Sequence, residues 1–225
     1  MGRRRRSKRG KSSASKRRRN FPDVTEGVKK LPPNPNEMHK KLFKPLTVRV
    51  VSIDPGMNMG ICVSDLDFTE QKQEVLFVDT FFIDKEKKGF EDEQYSLASN
   101  ALVNTQTIRK LIGDVLQEYQ PDVVICEAAF LGKFPQAFAS LCLCLNAIET
   151  AVFDYDYDVG FYTFDPPTVK NSMGVYGRSK DKDDMQKALL KNERIISEKD
   201  LSVLDEHSVD SICVGHCYFK LTAEF

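Results

Sequence analysis

Residues 48–56 read V-R-V-V-S-I-D-P-G. The run is rich in β-branched residues and stops at Asp54, where Pro55 and Gly56 turn the chain, so it reads as a buried strand ending in a carboxylate. Such a carboxylate is expensive to place unless something pairs with it. A second instance is V-V-I-C-E at 123–127, which ends in Glu127. A third acidic stretch, L-D-E-H-S-V-D-S-I-C-V-G-H-C at 204–217, sets His207 and Asp210 three residues apart, on one face of a helix. Two strand ends and one helix face can therefore meet at one edge of a sheet.

Outward from 48–56, residues 60–66 and 75–83 read as two more strands, separated by a polar stretch at 67–74. Short connections make these three an antiparallel meander. A charged loop at 85–93 leads to a helix over 94–119, whose core stripe is Leu97, Ala101, Ile108, Leu111, Ile112 and Val115. Pro121 ends it, and 122–127 is a short, continuously apolar strand of the buried kind. Then come a helix at 136–153, a strand at 161–164, a short helix opened by Pro166 and Pro167, a loop with Gly and Lys, and helices at 181–191 and 205–221. Three antiparallel strands followed by αβαβα is the order of the ribonuclease-H-like fold: an α/β domain with a mixed five-stranded sheet flanked by helices.

The zero net charge of the 225 residues hides an asymmetry. Residues 1–19 hold eleven Arg or Lys and no acid, whereas 47–225 hold 17 basic and 30 acidic residues. A like-charge block with almost no apolar residue does not fold alone, and Pro-rich 20–46 continues it as a linker. Two segments are therefore expected: a disordered basic, Pro-rich extension at 1–46 and a folded domain at 47–225. Arg3, Arg4, Arg5, Arg6, Arg17, Arg18 and Arg19 suit nucleic-acid contact, nuclear import, or both. No apolar run approaches the ~18 residues of a membrane span, the start lacks a secretion signal's apolar segment, and Arg6 breaks a myristoylation motif. The six cysteines include no C-x-x-C and read as reduced core residues.

The ordered blocks resemble the RuvC family of Holliday-junction resolvases, including phage and large-virus relatives. The resemblance rests on Ile53-Asp54-Pro55-Gly56, on Glu127 with Phe130 and Lys133, on Val169-Lys170 with Gly174 and Gly177, and on His207 with Asp210. It spans about three quarters of the chain, and Glu127 on the fourth strand matches the resolvase arrangement more closely than that of ribonuclease H. It implies a crossover-junction endodeoxyribonuclease with two Mg²⁺ or Mn²⁺ ions per site: Asp54 bridging them, Glu127 and Asp210 each flanking one, and His207 completing the set or acting as general base. Lys170 would contact the scissile phosphate, with Lys180 or Lys182 as the second lysine. Phe130 would stack on bases at the opened crossover, with core packing as its other reading, and Lys133 would lie beside the DNA.

The helix at 136–153 is apolar nearly all round, with Phe138, Leu141, Leu145, Ile148 and Val152 in one stripe and Ala139, Cys142, Leu143 and Ala147 beside it. A helix of that kind is covered on both sides. A junction resolver needs two active sites to nick opposed strands, so a homodimer is expected. The expected partners are thus four-way or branched DNA and a second copy, with no membrane. Paired symmetric nicking is the leading reading; a fork or flap nuclease in viral genome processing, or a non-catalytic junction-binding scaffold, is the alternative. The expected location is intracellular: host cytoplasm for a phage protein, nucleus or viral factory for a eukaryotic virus.

Overall fold

The computed structural model describes residues 47–86, 100–132, 134–176 and 183–223, all in the second of the two units into which the chain divides at Leu31 and Pro32. Readings that fall on 1–46, 87–99, Lys133 and 177–182 lie outside the described residues. Strand β1 (Thr47–Asp54) is central because its residues are apolar or small on both faces: Val50, Val51, Ser52 and Ile53 are all fully buried. It pairs antiparallel with β2 (Asn58–Asp67), which pairs antiparallel with β3 (Lys72–Phe82). On its other side β1 runs parallel to β4 (Val123–Glu127), and β4 runs parallel to β5 (Gly160–Phe164).

The sheet has six strands rather than the expected five, in the order β5-β4-β1-β2-β3-β6. The addition, β6 (Ile195–Ser197), runs parallel to the start of β3. Three residues are too few to establish a hydrophobic period, so nothing local announces this strand.

The helices are α1 (Ile83–Glu86), α2 (Asn100–Tyr119), α3 (Pro135–Tyr155), α4 (Pro166–Ser172), α5 (Asp183–Lys191) and α6 (Glu206–Ala223). Alternation along β1 feeds two cores. Val48 and Val50 join Cys62, Leu66 and Ile125 beneath Ile212, Cys213 and Phe219 of α6. On the other face, Val51 and Ile53 join Ile61, Val63 and Val124 beneath Ile108 and Ile112 of α2 and Ile148 and Val152 of α3. Each fully buried Val, Ile, Leu or Phe among these contributes about 1.5–3 kcal/mol. The sandwich thus fixes α6 over β1, β2 and β3.

One expectation changes. Helix α3 is long and apolar enough to span a membrane by length and composition, because its polar residues are few rather than absent. In this fold its Cys144, Ala147, Ile148, Ala151 and Val152 instead pack into the core, although only 28 % of its apolar stretch is buried. All six cysteines are free and all but Cys142 are buried, as the sequence suggested.

Candidate active site

Sheet register brings the first two acids together. Ile53 pairs with Cys126 across the parallel β1–β4 ladder, so the next residues, Asp54 and Glu127, end neighbouring strands at the same edge. Helix α6 begins over that edge. Gly60, which pairs with Asp54, permits the approach: a Cβ there would lie 2.0 Å from the His207 carbonyl oxygen. From this first turn, His207 Nδ1 reaches Asp54 Oδ2 at 2.7 Å, across 153 residues of sequence. Asp210 follows three residues later on the same helix, partly buried.

The four side chains share one electrostatic neighbourhood. Burial raises the Glu127 carboxyl to about 8, with Asp54 and Asp210 adding to the rise and Lys170 opposing it. Burial likewise raises Asp210 to about 7, reinforced by Asp54 and Glu206 and opposed by Lys170 and His207. At Asp54, burial also raises the pKa, and the hydrogen bond and charge of His207 work against it. The bond to Asp54 raises the imidazole of His207. Three carboxylates that resist ionising together, beside one imidazole, form a site where added positive charge would relieve a large repulsion.

Among the described residues, no three His, Cys, Asp or Glu side chains converge closely enough to hold a metal ion. The His207 ring is closed on Asp54 instead, so two of the expected donors bond to each other. The set nevertheless fits divalent cations in kind. Carboxylate oxygens suit Mg²⁺ and Mn²⁺, one imidazole is compatible with Mn²⁺, and the mutual pKa elevation shows charges within range of one another.

Lys170 is exposed on α4, and its charge lowers the pKa of both Glu127 and Asp210, which places it beside the acidic group. Phe130 is 59 % exposed just past β4, which removes core packing as its explanation. Leu131 and Phe134 beside it are similarly open, at 61 % and 73 %. Lys133, Lys180, Lys182 and the arginines from Arg3 to Arg19 lie outside the described residues.

Sequence reading missed one acid and gave a second only part of its role. Asp165 follows β5 at the same sheet edge and adds to the negative field on Glu127. Its signal was present: F-D-P-P repeats the strand–carboxylate–proline pattern of I-D-P-G. Asp205 reads as an acid favouring the helix dipole, yet it bonds to Thr80 on β3. Nothing in sequence pairs residues that far apart.

No family model matches the sequence, and no curated protein matches it. The fold is of the ribonuclease-H-like type, with helices on both faces of a mixed sheet and acids at the ends of adjacent strands. Among its structural neighbours are Holliday-junction resolvases. RuvC of Thermus thermophilus, solved in complex with a Holliday-junction substrate, is similar at TM-score 0.57 and 18 % identity, over 77 % of this chain and 94 % of that one. The yeast mitochondrial Holliday-junction resolvase is similar at TM-score 0.61 and 15 % identity, over 84 % of this chain and 85 % of that one.

Proposed function

We propose that this chain is a metal-dependent, structure-selective endonuclease that resolves four-way DNA junctions by paired symmetric nicks. The observation that carries the reading is the gathering of Asp54, Glu127, His207 and Asp210, from two strand ends and one helix, into a single electrostatic site beside Lys170. The likeness in fold to two junction resolvases supports the choice of substrate.

Asp54, Glu127, Asp210 and His207 would hold the divalent cations. When bound, a cation pair would supply activation of a water on one side of the phosphodiester and stabilisation of the leaving alkoxide on the other. Lys170 would place a fixed positive charge against the phosphate as negative charge builds on it. His207, released from Asp54, would serve as a nitrogen donor on the same helical face as Asp210. Exposed Phe130 would offer a flat surface for an unpaired base, worth about 1–3 kcal/mol of sequence-tolerant stacking.

Opposed strands need two sites, and the open side of α3 is where a second copy would dock. Leu143 is 49 % exposed there, with exposed Cys142 adjacent. The basic segment of residues 1–19 would supply much of the electrostatic affinity for DNA.

The test is cleavage of an end-labelled four-way junction in Mg²⁺ or Mn²⁺, beside duplex, fork and flap controls and the Asp54→Asn variant. Paired nicks on the junction alone, lost in Asp54→Asn, are expected. Equal cutting of forks and flaps would make this a general branched-DNA nuclease. Tight junction binding without cutting in either metal would leave a scaffold.

A further inference from the structure

The first turn of α6 rests on a single row of the sheet. Asp54 of β1, Gly60 of β2 and Thr80 of β3 are paired in register across three adjacent strands. Directly opposed residues point to the same face, and adjacent strands lie about 4.8 Å apart, so the row spans roughly 10 Å. Each member touches the start of the helix. Asp54 meets the His207 ring, Gly60 lies under the His207 carbonyl, and Thr80 meets Asp205 and Ser208.

The contact at Thr80 is more than an ordinary helix cap. Asp205 Oδ1 accepts the backbone N–H of His207 at 3.0 Å and of Ser208 at 3.2 Å, the usual work of an N-terminal aspartate. It also accepts the Thr80 hydroxyl at 2.7 Å, from 125 residues away in sequence. Its other oxygen accepts the buried Ser208 hydroxyl at 3.0 Å, and that hydroxyl stands 2.9 Å from Thr80 Oγ1. Burial favours the neutral acid, but the bonds from Thr80, Ser208 and His207 outweigh it and hold the Asp205 carboxyl below its usual range. Both oxygens are thus occupied with the helix start and the sheet, which leaves Asp205 poorly placed to serve as a further ligand.

We infer that Thr80 is a positioning residue: through Asp205 its hydroxyl fixes the height and rotation of the first turn of α6, and so sets where His207 and Asp210 stand relative to Asp54 and Glu127. This rests on the reading of those four residues as the metal site. Gly60 provides contact without direction, because a close approach to a strand allows the helix to pivot. The Thr80–Asp205 bond removes that freedom at the far end of the row, two residues before His207. Residues that orient metal ligands from outside the ligand set commonly govern affinity by about 10–100-fold.

The experiment titrates Mn²⁺ into the full-length protein, reading free Mn²⁺ by electron paramagnetic resonance, for wild type, Asp54→Asn, Thr80→Val and Thr80→Ser. Thr80→Val keeps the shape of the side chain and removes the hydroxyl; it is expected to weaken Mn²⁺ binding about tenfold. Thr80→Ser restores the hydroxyl and is expected to restore the affinity, which a general loss of packing would not do. Asp205→Ser is the second variant: it keeps a helix-capping hydroxyl but shortens the reach to Thr80, and the same weakening is expected. If wild type binds Mn²⁺, Asp54→Asn abolishes binding, and both Thr80→Val and Asp205→Ser bind like wild type, the positioning role is wrong while the metal site stands. If wild type shows no saturable binding that Asp54→Asn removes, the metal-site reading falls and this inference falls with it.

Discussion

A single methyl group is enough to test the docking of α6. In Gly60→Ala the new Cβ would meet the His207 carbonyl oxygen and carbon at 2.0 and 2.5 Å, distances that backbone atoms must move to relieve. Overpacking of this kind costs about 1–3 kcal/mol. The displaced turn is the one that carries His207, so junction cleavage should fall by more than the stability loss explains, as urea melts read beside nicking rates would show. A second residue-scale prediction concerns His216, which is buried on α6 six residues beyond Asp210. Its ring lies between Asn192 Nδ2 at 3.0 Å and Gln73 Oε1 at 3.3 Å, so the neutral tautomer with hydrogen on Nδ1 satisfies both neighbours. Burial, with Lys220 and Arg194 nearby, lowers its pKa to about 4. The unfolded chain then takes up this proton first, and the stability contributed by neutral His216 is present above about pH 6.5 and lost as pH falls toward 4. Glu127 and Asp210 act in the opposite direction, because their raised values favour the folded state in acid. The contribution of His216 is therefore the difference between wild type and His216→Gln: about 2 kcal/mol more stability lost by wild type between pH 7 and 4.5 in urea titrations. Equal losses would mean that the ring is not held neutral.

Strand β3, only partly covered by β6, poses the main problem at the level of elements. Strand β6 covers only Gln73, Glu74 and Val75, and the edge of β3 beyond them is unpaired among the described residues. Open edges recruit other strands, and charged side chains are a common guard. Here Lys199 Nζ donates to the Val78 carbonyl at 2.8 Å, and the Asp79 carboxylate accepts the Thr80 N–H at 2.8 Å. Removing both guards in Asp79→Ala/Lys199→Ala should change the melting temperature little but raise light scattering as concentration increases; unchanged scattering would show that the edge needs no guard. These elements also show where sequence reading worked. Strand β1 and helix α6 were legible because long apolar periods and a terminal carboxylate are local signals, and the four proposed ligands came with them. Strand β6 was not, since its existence depends on pairing with β3 more than 100 residues earlier. The same holds for Thr80 and Asp205: each is ordinary in its own segment, and only the register Asp54–Gly60–Thr80 gives them a shared purpose. Sequence alone does not choose between stacking and core packing for Phe130, because exposure is a tertiary property; at 59 % exposed it is not a core residue.

At the scale of the whole molecule, assembly and charge remain to be explained together. The proposed dimer predicts that Leu143→Glu, which puts a carboxylate in the exposed apolar side of α3, shifts sedimentation from dimer to monomer and turns paired nicking into single nicks. Wild type that sediments as a monomer with junction present would remove that interface. Charge raises the sharper question, because residues 47–225 carry 17 basic against 30 acidic side chains, while DNA presents a dense line of phosphates. Lys170 and its neighbours can neutralise a phosphate locally, but they cannot overcome a long-range field of that sign. The eleven cations at 1–19 are the compensating charge in the sequence, and counterion release makes their contribution measurable. Each phosphate they neutralise adds roughly 0.9 to the slope of log affinity against log salt. Deleting 1–19 should therefore weaken junction binding strongly at low salt, flatten that slope, and let the two curves converge as salt rises. The cleavage rate at saturating protein should stay the same, since no proposed ligand is touched. A parallel shift with unchanged slope would mean that the segment acts without contacting phosphate, and the acidic domain would then have to bind DNA through a basic face of its own.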